Sequence, residues 1–258
     1  MLPIASVIVP AWNSERWLRE AVESALAQTD EAGRPIPLEV IVCDDGSSVR
    51  QQLALEPFLA PDGPVRVVLQ SHRGQAAARN AACRYAVAPW LAFLDADDRW
   101  FPGKLRAQFA AAIVHPDADV IYTGGVCIDE AGVRAENSMV WPGPVSGLSD
   151  LVAENRVPLS SAMVRASAFR EAGGFDEVNV WGADDYELWL ALADAGRRFV
   201  FVPQPLVEYR IHADQASADA KRMRSGAAYA LTRTLLRGIS PAERKAIVSR
   251  LAELVNAP

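Results

Sequence analysis

Leu91-Ala92-Phe93-Leu94-Asp95-Ala96-Asp97-Asp98 is a short apolar run that empties into three carboxylates within four residues. Such a run reads as a buried strand ending at a charged rim, with the acids facing an open cleft. Two readings are open. The acids can cap a following element, as acids at strand ends and helix starts often do. They can also hold a hard divalent cation, which takes oxygen ligands and commonly uses one or two carboxylates while substrate phosphates complete its shell.

The flanking sequence sets this strand in a repeating pattern. Ile4 to Pro10 is a β-branched strand, and Asn13 stands as the N-cap of a helix over Ser14 to Gln28. Leu38 to Cys43 forms a second strand, ends in Asp44-Asp45-Gly46-Ser47-Ser48, and precedes a helix near Gln51 to Leu59. A turn at Pro61-Asp62-Gly63-Pro64 leads to a strand over Val65 to Gln70 and a helix over Gly74 to Tyr85. Strands and helices alternating at these lengths predict an α/β fold with a mostly parallel sheet and helices on both faces. Ligands in such sheets bind at the carboxyl ends of the strands, which is where Asn13, the 44–45 acids and the 95–98 acids fall.

Beyond Asp98 the alternation degrades. Pro102 to Val114 reads as a helix, Val120 to Thr123 and Val126 to Ile128 as strands, and Asp129 to Gly132 as a hairpin turn. Trp141-Pro142-Gly143-Pro144 reads as a loop whose Trp is either structural or a substrate platform. Ser160 to Arg165 reads as a strand, with a short helix ending at Gly173-Gly174. Asp184 to Ala195 is a helix that opens on two acids and stops at Gly196, its Leu188, Trp189 and Leu192 forming a core stripe. Phe199 to Val202 and Leu206 to Arg210 read as strands. In Ser240-Pro241-Ala242-Glu243 a capping Ser, a Pro at the first helical position and a Glu at the third predict a last helix to about Val255.

Composition narrows the function classes. The 258 residues carry a net charge of −6, which argues against a general nucleic-acid binder. Residues 221–258 hold eight Lys/Arg against two acids, a +6 segment behind a −12 body. That segment reads as a solvated helix face, or as a peripheral contact with a membrane or an anionic acceptor. No run of about 18 apolar residues predicts a membrane span, and no signal-type leader is read at the N-terminus. Cys43, Cys83 and Cys127 have no metal-ligand spacing and read as small buried residues of a cytoplasmic protein, at most lying at the inner face of a membrane. Gly-x-Gly-x-x-Gly, a P-loop and a Gly-x-Ser-x-Gly elbow are all missing.

Six motifs in order carry a resemblance: Val7 to Asn13, Val42 to Ser48, Arg73-Gly74-Gln75 with Ala78-Arg79-Asn80, Phe93 to Asp98, Gly174 to Glu177, and Asp184 to Trp189. Together, over roughly residues 4 to 212, they resemble the family 2 glycosyltransferases of the GT-A fold. The resemblance implies inverting transfer from a nucleoside-diphosphate sugar, dependent on Mg²⁺ or Mn²⁺. It implies main-chain contacts to the nucleotide around Pro10, Ala11 and Asn13, nucleoside contacts from Asp44 or Asp45, and base or phosphate contact from Arg79. Asp95 and Ala96 would lie on the ribose side, Asp97 would ligate the metal, and His212 would approach the metal or diphosphate. Arg210 would neutralise phosphate charge, and Asp185 matches the family's general base. Asp184 stands where the family more often has Glu, and Cys43 where an aliphatic residue is frequent.

Each residue also has a plainer reading: turn or cap for Asp45, Ser47 and Asp184, a surface ion pair for Arg79, a structural ring for His212. Asp185, at a helix N-terminus, is expected to have a lowered pKa and to be ionised. Residues 1–98 would form the nucleotide-sugar half, 99–212 the acceptor half of the same domain, and 213–258 a helical extension. The partners implied are the donor and a glycan, lipid-linked or small-molecule acceptor, with no nucleic acid, and a homodimer is compatible. The absence of Gln-x-x-Arg-Trp after Asp185, with no membrane span, predicts non-processive transfer. The alternatives are a nucleotidyltransferase, which would carry a Gly-rich basic loop after the first strand, and a sugar-nucleotide-binding module without catalysis.

Overall fold

All seven residues of β1 (Ala5–Ala11) are buried, and their side chains alternate between two cores. Val7 and Val9 face one apolar cluster while Ile8 faces the other, as expected for a central strand covered on both sides. The structure is a computed structural model and describes residues 2–48, 54–58, 60, 63–140, 143–179 and 182–256.

β1 pairs in parallel with β2 (Leu38–Asp45) and β4 (Trp90–Phe93), and β2 pairs in parallel with β3 (Val65–Gln70). The register sets Ala11 beside Asp44 and Asp45 beside Gln70, so the carboxyl ends of these strands share one edge. The second half of the sheet is mixed. β8 (Met163–Arg165) runs antiparallel to β4 and to β6 (Val120–Ile128). β9 (Phe199–Arg210) runs parallel to β6, β5 (Arg99–Trp100) antiparallel to β9, and β7 (Arg134–Val140) antiparallel to β6. The order is β3-β2-β1-β4-β8-β6-β9-β5, with β7 on β6.

On one face lie α1 (Leu18–Leu26) and α3 (Lys104–Val114). On the other lie α2 (Gln75–Cys83), α4 (Leu148–Ala153), α5 (Ala166–Glu171), α6 (Asp184–Asp194), α7 (Ala220–Leu235) and α8 (Pro241–Asn256). The last two helices and the loop between them share their core with the sheet: Leu231, Ile239 and Ile247 are buried in the same cluster as Ile8, Phe93 and Trp189. α8 opens with the predicted reciprocal cap, Ser240 N–H to Glu243 Oε2 at 2.8 Å and Glu243 N–H to Ser240 Oγ at 3.3 Å.

Several boundaries differ from the sequence reading. The two strand pairs expected around 120–128 and 199–210 are two continuous strands, β6 and β9, whose register shifts at Thr123, Gly124 and Gly125. Irregular pairing absorbs Pro203 and Gln204 without ending either strand. Leu159–Ser161 is a 3₁₀ turn, so only Met163–Arg165 of the expected 160–165 strand is β. Asn13 is not a helix N-cap. It sits at φ 49°, a left-handed conformation Asn tolerates, and α1 begins only at Leu18. Of the helix expected near 51–59, much lies outside the described residues, and Glu56–Phe58 is a 3₁₀ turn. Part of the 61–64 turn and Trp141 with Pro142 also lie outside the described residues. Cys43, Cys83 and Cys127 are all free thiols. Among the described residues no helix is long and apolar enough to cross a membrane.

Candidate active site

The loop leaving β4 divides its three acids. Asp98 is buried: its Oδ2 accepts from the Ser160 hydroxyl and its Oδ1 from the Arg210 N–H at 2.9 Å. Burial, with Asp97 and Asp95 beside it, pushes its carboxyl well above the usual range. Ser160 Oγ in turn accepts from the Asp95 N–H at 3.0 Å, so one hydroxyl bridges both ends of the acidic loop. Asp98 therefore anchors the loop, and Asp95 and Asp97, each 29% exposed at the side chain, face the cleft.

Asp97 Oδ2 lies 2.9 Å from His212 Nε2, bringing together two predicted metal ligands 115 residues apart. Burial and Asp95 raise the Asp97 pKa, and His212 opposes them. The His212 ring packs at 4.6 Å on Trp17, and its Nδ1 is buried without a hydrogen-bond partner among the described residues. No cluster of three or more His, Cys, Asp or Glu capable of holding a metal exists among the described residues. A carboxylate and an imidazole nonetheless suit a divalent cation that draws its remaining ligands from water and a diphosphate.

Arg79 is 3% exposed and lies between two carboxylates, with Nη2 to Asp95 Oδ1 at 2.7 Å and Nη1 to Asp184 Oδ2 at 2.6 Å. Its face covers Phe175 at 5.5 Å. It is neither the surface ion pair of the plain reading nor, in this arrangement, a donor aimed at phosphate: it joins the β4 loop to the start of α6. The buried Arg79 Nε has no hydrogen-bond partner among the described residues, whereas Arg210 is bonded through all three of its guanidinium nitrogens. At 1% exposed, it donates Nε to the Asp97 carbonyl, Nη1 to the Asp129 and Glu130 carbonyls, and Nη2 to Glu20. Its Nε bond at 2.7 Å fixes the backbone of Asp97.

α6 begins after Gly182 (φ 86°) and Ala183 (φ 59°), two left-handed residues that turn the chain sharply into Asp184 and Asp185. Asp185 Oδ2 accepts from Asn155 Nδ2 at 3.3 Å. Its pKa is not lowered as the helix position alone suggests. Burial, and then the neighbouring Asp184 charge, push it up to about 6, against Arg79, the Tyr186 N–H and Asn155. A carboxylate at that value is largely ionised at neutral pH and is a better proton acceptor than an ordinary Asp.

At the other end of the cleft the 44–45 acids are almost fully buried. Asp45 accepts from Gln70 Nε2 (2.7 Å) and from the N–H groups of Arg73 and Gly74 (both 2.8 Å), and faces His72 Nδ1 at 2.9 Å. That is the structural role the plain reading proposed: it ties β2 to the turn that opens α2. Asp44 Oδ1 accepts from the Ser47 N–H at 3.0 Å. Asn13 closes the same rim, its N–H donating to Ser47 Oγ (2.9 Å) and its Oδ1 accepting from the Ser48 N–H (3.0 Å). Pro10, Ala11 and Ala96 are buried beneath this edge. The sequence reading passed over Trp12, which is 54% exposed and stacks on His72 at 4.5 Å and 26°, an aromatic face at the mouth of the cleft. It also missed Ser160 and Asn155, which belong to no motif and meet the acids only through the fold.

The family model described as Glycosyl transferase family 2 matches residues 6–170. A chondroitin synthase from Escherichia coli is 29% identical over 202 residues, which is 76% of this chain and 27% of that protein. The chain thus spans about a quarter of that relative's length. Among solved structures, S. aureus TarS residues 1–349 in complex with UDP-GlcNAc superposes with a TM-score of 0.72 at 19% identity, covering 99% of this chain and 72% of that one. The mannosyltransferase PcManGT from Pyrobaculum calidifontis in complex with GDP-Man and Mn²⁺ gives 0.69 at 21% identity, covering 100% and 71%. At such identities the likeness is one of fold.

Proposed function

The chain belongs to glycosyl transferase family 2, and from that premise we propose that it transfers a sugar from a nucleoside-diphosphate sugar to an acceptor hydroxyl with inversion, using Asp185 as general base and a divalent cation at Asp97 and His212. The observation that carries this reading is the Arg79 bridge, which fixes the acidic loop of β4 and the base-bearing start of α6 along one cleft. The nucleotide sugars in the TarS and PcManGT structures, and the Mn²⁺ in the latter, support a donor and cation of this kind.

The acceptor hydroxyl attacks the anomeric carbon from the face opposite the diphosphate. As the new C–O bond forms, its proton passes to an Asp185 carboxylate oxygen, and the diphosphate departs with the electron pair of the broken bond. Asn155 donates to Asp185 Oδ2 at 3.3 Å and the Tyr186 N–H donates to Oδ1 at 2.7 Å, so both oxygens of the carboxylate are oriented before the acceptor arrives. A divalent cation at Asp97 and His212 would supply charge stabilisation to the leaving diphosphate. One base acting in one displacement requires no covalent enzyme intermediate, hence inversion. We assign single rather than processive transfers on the missing Gln-x-x-Arg-Trp motif, and long polymer grown from one primed acceptor would overturn that.

A thermal-shift panel of UDP, GDP and their sugar conjugates, with and without Mn²⁺, tests the donor side, because a ligand of the native state raises apparent stability by mass action. In Asp185→Asn, nucleotide-dependent stabilisation should persist while transfer falls by about 10²- to 10⁴-fold. Unchanged turnover in that variant would remove Asp185 from the mechanism.

A further inference from the structure

Next to Asn155, Ala183 and Tyr186, which flank Asp185 in sequence or hydrogen bonding, lies an open pocket of about 230 Å³ between the start of α6 and the helices α7 and α8. Asn155, whose amide holds Asp185, forms part of its wall, as do Tyr186, Met223 and Leu231. The lining is mainly apolar, yet Arg224 and Arg250 both reach it. Arg250 is held by Glu253 at 2.7 Å. Arg224 is a partly buried residue and makes no hydrogen bond or ion pair among the described residues. A cation lining a mainly apolar pocket without an internal partner is free to pair with an anion delivered by a ligand, in a charge-assisted contact. Met223 adds a flexible, polarizable surface suited to alkyl groups of varied shape.

We propose that this pocket is the acceptor subsite and that it takes a phosphate-bearing amphiphile, whose phosphate meets Arg224 and Arg250 while its apolar chain lies along Met223 and Leu231. This rests on the reading of Asp185 as the base, since the pocket matters to transfer only because its wall residue Asn155 also holds that carboxylate. The acceptor's sugar or hydroxyl would then project toward Asp185, and the donor would be held at the opposite end of the cleft.

Binding of decyl phosphate below its micelle concentration, measured by calorimetry on the full chain saturated with UDP and Mn²⁺, tests the subsite without requiring turnover. Inorganic phosphate and decyl glucoside serve as the anion-only and chain-only probes. The expected result is decyl phosphate binding at least tenfold tighter than either probe, without displacing UDP. R224Q and R250Q should each weaken it by tenfold or more, A227L should weaken it by filling the pocket, and K245Q, which removes an exposed charge from α8, should leave it unchanged. Unchanged affinity in R224Q and R250Q, equal binding of either probe, a matching loss in K245Q, or competition with UDP would overturn the proposal. Retained UDP binding in R224Q shows that the variant is folded. Failure of UDP itself to bind wild type would instead count against the donor reading, so the two are separable.

Discussion

Arg79 and Asp184 are 105 residues apart in sequence and 2.6 Å apart in space, and the same guanidinium holds Asp95 at 2.7 Å. A planar fork can span two carboxylates in this way, whereas a single ammonium cannot. Removing it would leave Asp184, and in part Asp95, buried without a counter-charge. Arg79→Ala is expected to cost about 3–5 kcal/mol in urea denaturation, and Arg79→Lys to recover only part of that loss. A stability change within 0.5 kcal/mol, roughly the scatter of ordinary surface substitutions, would show that the bridge does not organise the cleft.

The pH dependence follows from Asp185. Its pKa of about 6 predicts that kcat/KM rises through pH 6 and levels above it, since the base must be ionised. Asp184→Asn removes a neighbouring negative charge, so the acid limb should move to lower pH; Asn155→Ala removes a hydrogen bond that favours the ionised form, so the limb should move to higher pH. For stability the sign is opposite to that of a salt-bridged Asp. A carboxyl raised in the folded state costs stability as pH climbs from about 4 to about 6, so Asp185→Asn should be more stable than wild type above pH 6. Limbs that do not move, followed over pH 4.5–8.5, would assign the ionisation to another group.

Metal use is testable apart from turnover. Asp97→Asn and His212→Ala should each abolish the extra thermal stabilisation that Mn²⁺ gives to bound nucleoside diphosphate, and excess EDTA should do the same to wild type. Metal-dependent stabilisation that survives in both variants would move the cation elsewhere.

Gly226 on α7 presses against the turn that launches α6. A Cβ built there would lie 2.2 Å from the Gly182 carbonyl oxygen and 3.2 Å from Ala183 Cβ. Glycine to alanine inside a helix ordinarily stabilises by about 0.5–1 kcal/mol. Here the sign should reverse, with Gly226→Ala costing about 1–3 kcal/mol as for overpacking. Because Asp185 follows directly on that turn, kcat should fall at least tenfold at pH values where Asp185 is ionised. Stabilisation in thermal melts would mean that the two backbones separate freely.

Lys104 is buried with no acid partner among the described residues, its Nζ 2.8 Å from Gln108 Oε1 and 4.0 Å from the Trp100 ring. Burial drives its pKa well below the usual lysine value. Between the lowered folded-state pKa and 10.5 the unfolded chain binds more protons than the folded chain, and over that window stability should rise with pH. Lys104→Met should flatten that rise and match or exceed wild-type stability at pH 7. A variant less stable than wild type at every pH would mean that the bond to Gln108 outweighs the cost of burial.

What could be read in advance follows the range of the interactions. The parallel half of the sheet was legible because each strand announces itself within ten residues, by a β-branched run closed by acids or a turn. The acids of the cleft were legible for the same reason. Arg79 and Arg210 were found as residues, but not the uses to which the fold puts them. Whether a buried guanidinium faces a phosphate or two internal carboxylates depends on what arrives from a hundred residues away. Ser160 and Asn155 lie in stretches without periodicity or motif, and only the antiparallel return of β8 and the approach of α4 bring them to the acids. The pKa of Asp185 was misread because a helix terminus is visible in sequence, whereas burial and the orientation of Asp184 are not.

The C-terminal helices and the loop between them contribute Leu231, Ile239 and Ile247 to the same buried cluster as Ile8 and Trp189, and Gly226 meets the Gly182–Ala183 turn backbone to backbone. A segment joined in this way is not an interchangeable cassette. Grafting the tail of a relative onto this chain would replace part of its interior, and would succeed only where the donor tail also keeps the glycine that lets the two backbones touch. Retuning acceptor preference is better attempted side chain by side chain on the retained frame than by exchanging the helices whole.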